Sequence, residues 1–450
     1  MKQENGNNCY VARNPKFNRY RLPLNAQLRL LHREFFVIEE STVNASQYNF
    51  TTSRGRGLAL NRYINIMAIE ETLFPPIPGT KMEESFYQKL ETRRSKSQEK
   101  GVESESKTLG SLLDGNGCNK NSSTLAIFKH TANILASMIP AGGIPAGSTV
   151  DPRGAGTRSE SHPFLYINGN LIDLENAPLF VASQAPTAAG ISDFFATLYK
   201  YKIQLVIMLT KTVEDEVEKA CQYWPTGNEA TLIGNSDVDN IGRSSETCNS
   251  LSWGNMTVSM NPEEPYYVDK ELKLVYRPLQ IQPRCGGDVM PLLHVQYTGW
   301  PDLGVPSSEV AFCELLKIVD AYQGAAPVLV HCSAGVGRTG TFIGTYAILQ
   351  AIRSGCFENK TLRQTVMSMR RARYWMVQRI EQYLFMYWII LTKLNLDASE
   401  FAANLQQSAL EYQQEVARIA ILRERQRLAR PQASIEKTCL TTNVKRGRTK

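Results

Sequence analysis

The chain lacks a Cys-x-x-Cys pair, and its nine cysteines are scattered in odd number along 450 residues. That excludes a zinc ribbon or a small disulfide framework, and it fits a reducing compartment. Long apolar runs are also missing. The most apolar stretch, Tyr383 to Leu391, lies between Glu381 and Lys393 and is far too short to span a bilayer. The opening MKQENGNNCY has no apolar core of a secretory signal, and no myristoylation or prenylation pattern is present. The expectation is a cytoplasmic protein with no transmembrane segment. Charge of neither sign dominates: 50 Lys and Arg against 43 Asp and Glu give +7, too mild to argue for a nucleic-acid partner. No internal repeat is found. What remains is 42% hydrophobic and 21% charged, ordinary for a globular chain able to bury a sizeable core.

Residues from about 17 to 74 carry aromatic and apolar positions, with Leu28, Leu30, Leu31, Phe35 and Phe36 at helical spacing. Glu91 to Ser123 is then rich in Ser, Lys, Glu, Gly and Asn and has no aromatics. Such a segment buries too little to order itself, so about 80–160 reads as a flexible insertion. The apolar segment Leu125–Ile139 inside it has room for a short partner-binding helix. Order returns near Pro163. FLYING, LFVASQAP, QLVIMLT, LKLVYRPLQI, LLHVQYTGW and PVLVHC read as strands. DFFATLYKYK, Arg338–Arg353 and Val377–Leu394 read as helices. The interleaving argues for a mixed α/β domain over 17–396. A separate helix is expected over about 398–429, opened by a capping box from Asp397 and Glu400 and striped by Phe401, Leu405, Tyr412, Val416 and Ile419. A basic tail ends the 397–450 segment.

Val328–Gly340 reads VLVHCSAGVGRTG: an apolar strand, a glycine-rich loop, then a helix. A loop at a helix N-terminus aims backbone N–H groups and positive dipole at one spot, which suits a phosphate. Gly335, Gly337 and Gly340 permit close backbone approach. Cys332 opens the loop and Arg338 closes it. The spacing puts a thiol under a bound phosphorus while a guanidinium grips two oxygens. The same donors favour a nucleophilic thiolate, and Thr339 has a hydroxyl to offer the sulfur.

HCSAGVGRTG resembles the signature loop of the phosphotyrosine-specific, cysteine-based protein tyrosine phosphatases of the intracellular, non-receptor, single-domain type. The likeness runs from about Phe17 to Leu394 apart from the insertion, with several motifs in the family's order. It implies a twisted, highly curved mixed sheet flanked by helices, with the phosphate loop between a central strand and a helix. It implies hydrolysis of phosphotyrosine in proteins through a phosphocysteine, without metal or other cofactor. Ser333, Ala334, Gly335, Val336 and Gly337 would hold the phosphate beside Arg338.

Trp300-Pro301-Asp302 resembles the family's closing loop, with Asp302 as general acid and then base. Leu303 departs from the aromatic or His expected there. Asn61–Ile66, NRYINI, resembles the phosphotyrosine-recognition loop. Tyr63 would set pocket depth, with Val336 and Ile66 as walls, and Asn65 stands where many members have Asp. In KTVEDEVEKACQYWP, Glu214 would hold Arg338 and Lys219 would meet Asp302. In MVQRIEQ, Gln378 would position the attacking water, assisted by Gln382. Arg370 and Arg373 would reach a second phosphate or an acidic substrate side chain. Trp375, where some members have a small residue, would narrow a secondary pocket or stack on a substrate side chain. His331 would order the loop and tune Cys332. Two rivals remain: a catalytically impaired phosphotyrosine-binding scaffold on the same fold, and an enzyme of broader range. The C-terminal helix and tail are read either as a contact for a protein or anionic surface, or as a packed extension of the domain.

Overall fold

Short β-branched runs alternate with amphipathic segments, and both periods are realised in the structure. This computed structural model describes residues 15–42, 47–50, 60–63, 65–104, 165–227, 248–301, 304–306, 308–322 and 326–429. The chain opens with helix α1 (Leu24–Thr42), strand β1 (Leu73–Phe74) and helix α2 (Lys81–Ser104). Strands β2 (Gly169–Ile172) and β3 (Phe180–Ser183), helix α3 (Ile191–Lys200) and strand β4 (Leu205–Met208) follow. Two small strands, β5 (Val213–Glu214) and β6 (Val217–Glu218), make a separate hairpin. Next come β7 (Ser250–Trp253), β8 (Met256–Met260), β9 (Tyr267–Asp269), β10 (Leu274–Pro283) and β11 (Met290–Tyr297). The remainder is α4 (Glu309–Ala321), β12 (Val328–His331), α5 (Gly337–Arg353), α6 (Thr361–Ala372), α7 (Ile380–Lys393) and α8 (Ser399–Ala429).

The large sheet runs β1-β2-β3-β12-β4-β11-β10-β8-β7, with β9 also on β10. Its centre is parallel: β12 lies between β3 and β4, and β4 pairs with β11. Antiparallel strands extend it on both sides. Both faces are covered, so central strands carry apolar side chains on both sides. On β12, Val328 and Val330 join the core under α4, α5, α7, α1 and α8, while Leu329 joins the core under α3 and α2. β4 divides in the same way, with Leu205 and Ile207 on one face and Val206 and Met208 on the other. The mixed α/β class expected from the sequence is the class observed.

The boundaries differ in places. The expected flexible insertion does not begin at 80: α2 occupies 81–104, and Phe86 and Leu90 are buried one turn apart. Phe86 packs on Phe74 and Tyr201, and Lys89 bonds Asp173 at 2.9 Å. Two apolar side chains at i and i+4 anchor a polar helix, a signal that average composition dilutes. The rest of the expected insertion, including Leu125–Ile139, lies outside the described residues, as does the tail from 430. On α1, Leu28, Leu31 and Phe35 are buried, but Leu30 is exposed. The final helix of the domain starts at Ile380 rather than Val377, because Val377 has φ +57°. Asp397 caps α8 by accepting from Ser399 N at 3.0 Å. The first half of α8 buries Phe401, Leu405, Ala409 and Tyr412, whereas Ile421 and Leu422 are exposed. Among the described residues no helix is long and apolar enough to cross a membrane.

Phe86→Ala should lower unfolding free energy by about 3 kcal/mol, the usual scale for emptying a buried aromatic site. Tyr87→Ala, at a position 45% exposed, should change it little. Urea denaturation of the two variants checks whether α2 belongs to the domain.

Candidate active site

A loop can aim its amides at an anion only if its carbonyls are held elsewhere, because each trans peptide points its C=O and N–H in opposite directions. Between β12 and α5 the carbonyls of five successive residues are all engaged. Cys332 O lies 3.1 Å from His331 Nδ1. Ser333 O accepts from Ala185 N at 2.9 Å. Ala334 O and Gly335 O accept from Arg373 at 3.0 and 2.8 Å. Val336 O accepts from Gly340 N and Val377 N. Two glycines allow this packing. Gly335 has φ +72° and its Cβ would fall 2.0 Å from Ser183 O, and a Cβ on Gly340 would fall 2.5 Å from Val377 N.

Cys332 sits at the start of this loop, 5% exposed, and its sulfur accepts from Gly335 N at 3.2 Å. Arg338, in the first turn of α5, forms a two-pronged bond with Glu214 at 2.7 and 2.6 Å and donates to Leu209 O. Thr210 Oγ1 and Lys211 N also donate to Glu214 Oε1, so the carboxylate is fixed before it meets the guanidinium. A buried pair of this kind holds its geometry because the two-pronged contact is reinforced by further donors to the carboxylate. Thr339 does not donate to the sulfur. Its hydroxyl is enclosed at the start of α5, without a hydrogen-bond partner among the described residues.

The segment carrying Tyr63 reaches the loop from the other side. Tyr63 Oη lies 2.8 Å from Ser333 Oγ, and Ser333 Oγ donates to Lys219 O at 2.8 Å. The single serine hydrogen is thus committed to Lys219 O, so Tyr63 is the donor in the first bond. Gln184 steadies the segment by accepting from Arg62 N and donating to Leu60 O. Tyr63, Ser333 and Ala334 are half-buried, and Asn65 and Gln378 are exposed, so these line the open side. Val336 and Ile66, expected as walls of the pocket, are both buried.

Gln382 Oε1 accepts from Gln378 N at 3.0 Å and Arg379 N at 3.2 Å, fixing the turn into α7. Arg370 and Arg373 do not face outward. Arg370 donates to Met376 O, Val377 O and Thr42 Oγ1, and Arg373 binds the loop carbonyls and Asn170. Desolvation in these buried positions pulls both guanidinium groups down to about 10. Trp375 has φ +64° and stacks on Tyr374 at 5.2 Å. Trp300 is buried, packs on Phe312, and donates to Gly304 O at 3.0 Å. Asp302 and Leu303 lie outside the described residues.

The sequence reading assigned no role to a buried polar group behind the loop. Tyr223 Oη lies 2.7 Å from His331 Nε2 and 2.8 Å from His294 Nε2. Arg277 lies 3.1 Å from His294 Nδ1 and stacks over Trp224. Only the QYWP string and the His of LLHVQY mark these positions, and neither pattern by itself says that the two meet. Burial pulls His331 from its ordinary 6.5 down to about 4, and burial with the nearby Arg277 charge pulls His294 well below its usual range.

Comparison with known proteins gives one consistent answer. The family model described as protein-tyrosine phosphatase matches residues 150–392. The human receptor-type tyrosine-protein phosphatase C is 31% identical over 49% of this chain and 15% of its own length. A protein-tyrosine-phosphatase of Arabidopsis thaliana is 30% identical over 51% of this chain and 62% of its own. The chain therefore spans less than two thirds of these curated relatives. A crystal structure of a Trypanosoma brucei protein tyrosine phosphatase superposes with TM-score 0.60 at 33% identity, over 85% of this chain and 98% of that one. A Trypanosoma cruzi counterpart gives 0.59 at 32% identity, over 86% and 98%.

The depressed His331 makes a pH prediction. Between 6.5 and about 4 the unfolded chain binds a proton that the folded chain refuses, so this contribution to stability is full above pH 6.5 and is lost as pH falls toward 4. Its full size is roughly 3 kcal/mol. Urea midpoints at pH 7 and pH 4.5 should converge more closely in His331→Asn than in the parent.

Proposed function

The chain belongs to the protein-tyrosine phosphatase family, and on that premise we propose that it hydrolyses phosphotyrosine in proteins through a phosphocysteine. The observation that carries this reading is the clamped guanidinium. Arg338, held two-pronged by Glu214, stands at the far end of a loop whose Gly335 amide already donates to Cys332 Sγ. Such fixed donors stabilise charge on a transferring phosphoryl group without reorganising.

In this reading Cys332 Sγ attacks phosphorus and the tyrosyl oxygen leaves with a proton from Asp302. A water positioned by Gln378, with Gln382 bracing its turn, then attacks the phosphocysteine. Asp302 takes the proton back, releasing phosphate and restoring the thiolate. Ser333 to Gly337 present the amides. Tyr63, tied to Ser333, sets a depth that the shorter phosphoserine cannot span, and exposed Asn65 meets the peptide. Lys219 meets Asp302 when the loop carrying Trp300 closes. The catalytic domain is proposed to run over 17–396. The six described cysteines are all free, which supports a cytoplasmic setting. Exposed Ile421 and Leu422 beside Arg418 and Arg425 support a protein or anionic-surface contact for the distal half of α8 and the tail.

Phosphate release from a phosphotyrosine peptide, with a chelator present, tests the mechanism. The parent should turn over, Cys332→Ser should not, and Asp302→Ala should lose about 10²- to 10⁴-fold in kcat while still binding the peptide. A parent that binds the peptide without hydrolysing it would replace this reading by the scaffold. Equal turnover of a phosphoserine peptide would overturn the role given to Tyr63.

A further inference from the structure

Two arginines from different parts of the pocket end on one small hairpin. The register of β5 on β6 pairs Glu214 with Val217 and Val213 with Glu218, so Glu214 and Glu218 lie on opposite faces. Glu214 takes Arg338 of α5 at 2.7 and 2.6 Å. Glu218 takes Arg62, the residue before Tyr63, at 3.2 Å. The hairpin is fit to be a fixed point. Asp215 and Glu216, the turn between its strands, have φ +49° and +62°, the twist that a tight hairpin requires. At its base Thr212 O accepts from both Lys219 N and Ala220 N.

The segment carrying Tyr63 is held in two ways. Its backbone and Asn61 are tied to the framework: Gln184 bonds Leu60 O and Arg62 N, and Asn61 Oδ1 accepts from Tyr166 and Asn168. Its next two side chains are tied to the hairpin, and they reach neighbouring residues. Arg62 goes to Glu218, and Tyr63 goes through Ser333 to Lys219 O. One tether would let the Tyr63 ring pivot, whereas two fix its height and tilt. The Arg62 side chain is only 11% exposed. It also donates to Pro186 O at 3.0 Å, with Cys221 Sγ 3.8 Å away, and Cys221 Sγ lies 3.3 Å from Glu218 Oε1.

We propose that Glu218 is a positioning residue that sets where Tyr63 stands over Ser333, so that the ring end and the phosphate end of the pocket are both registered to one hairpin. A carboxylate on the rim of a hairpin is ordinarily a solvated charge, and exposed Glu216 is one. Glu218 differs because its charge meets a guanidinium that is nearly buried. Arg338 keeps Glu214 whatever becomes of Glu218, since the two carboxylates lie on opposite faces. Loss of the Glu218 tether therefore weakens the grip on an aromatic ring and leaves the grip on phosphate intact. Glu218 is 61% exposed, so the pair has the strength of a surface ion pair, worth about threefold in affinity.

The inference rests on the phosphatase reading of the pocket, but its test needs no turnover. Calorimetry measures the affinity of full-length Cys332→Ser for phosphotyrosine and for inorganic phosphate, with Glu218→Gln, Glu216→Gln and Arg62→Met added in turn. Glu218→Gln should weaken phosphotyrosine about threefold and leave phosphate unchanged. Glu216→Gln should change neither. Glu218→Gln added to Arg62→Met should cost nothing more, because the partner is already gone. With Cys332 intact, Glu218→Gln should raise KM for a small aryl phosphate by the same factor at constant kcat, since the ring is held alike in substrate and transition state. A purely structural role weakens both ligands together, and that result overturns the proposal. So does an unchanged phosphotyrosine affinity in Glu218→Gln, or a loss that simply adds to that of Arg62→Met. Should Arg62→Met fail to fold, the comparison of the two ligands in Glu218→Gln decides. A protein that binds phosphotyrosine as expected but turns over no aryl phosphate fails the functional reading alone, and one that binds neither ligand fails both.

Discussion

Everything at this site depends on binding carbonyls. A five-residue run of backbone can present its amides to an anion only while its oxygens are satisfied on the other side, and each oxygen from Cys332 to Val336 has a dedicated donor. Those donors come from well-separated parts of the chain: a loop after β3, the end of α6, the turn before α7, and β12 itself. The fold can be read as the means of delivering them. β3 and β4 flank β12 in parallel register, and so bring Ala185 and Leu209 beside the loop. The α6–α7 corner brings Arg373 and Val377.

Charge is distributed by the same logic. Buried cations are costly unless each is given acceptors, and here the acceptors are functional backbone. Arg373 uses Ala334 O and Gly335 O, Arg370 uses Met376 O and Val377 O, and Arg338 uses Leu209 O with Glu214. Only Arg338 of these three stands where a substrate phosphate is expected. The other two convert the price of their own burial into rigidity of two loops.

The sequence announced the loop because glycine spacing, a thiol and a guanidinium occur within ten contiguous residues, where local geometry decides the outcome. It announced the Glu214–Arg338 pair only through resemblance, since 124 residues separate the partners. Arg370 and Arg373 looked like substrate contacts because arginine near a phosphate site ordinarily faces it. Nothing local says that their acceptors are carbonyls behind the loop. α2 was hidden by its polar composition, two buried side chains being enough to seat it. The line through Tyr223 and His294 was illegible for the same reason as the ion pair: it joins β11, β12 and the segment after β6, which meet only in the folded sheet.

α1 and α8 lie far apart in the chain and meet in the fold. Phe35 of α1 packs on Tyr383 of α7 and Tyr412 of α8, and His32 lies 2.8 Å from Ser408 Oγ. On a growing chain α1 emerges several hundred residues before the α7 and α8 surfaces that cover its apolar face. At ordinary elongation rates its Leu28, Leu31 and Phe35 face stays uncovered for roughly tens of seconds. Assembly therefore closes α1 against α7 and α8, and until they emerge the nascent protein offers chaperones an apolar helix.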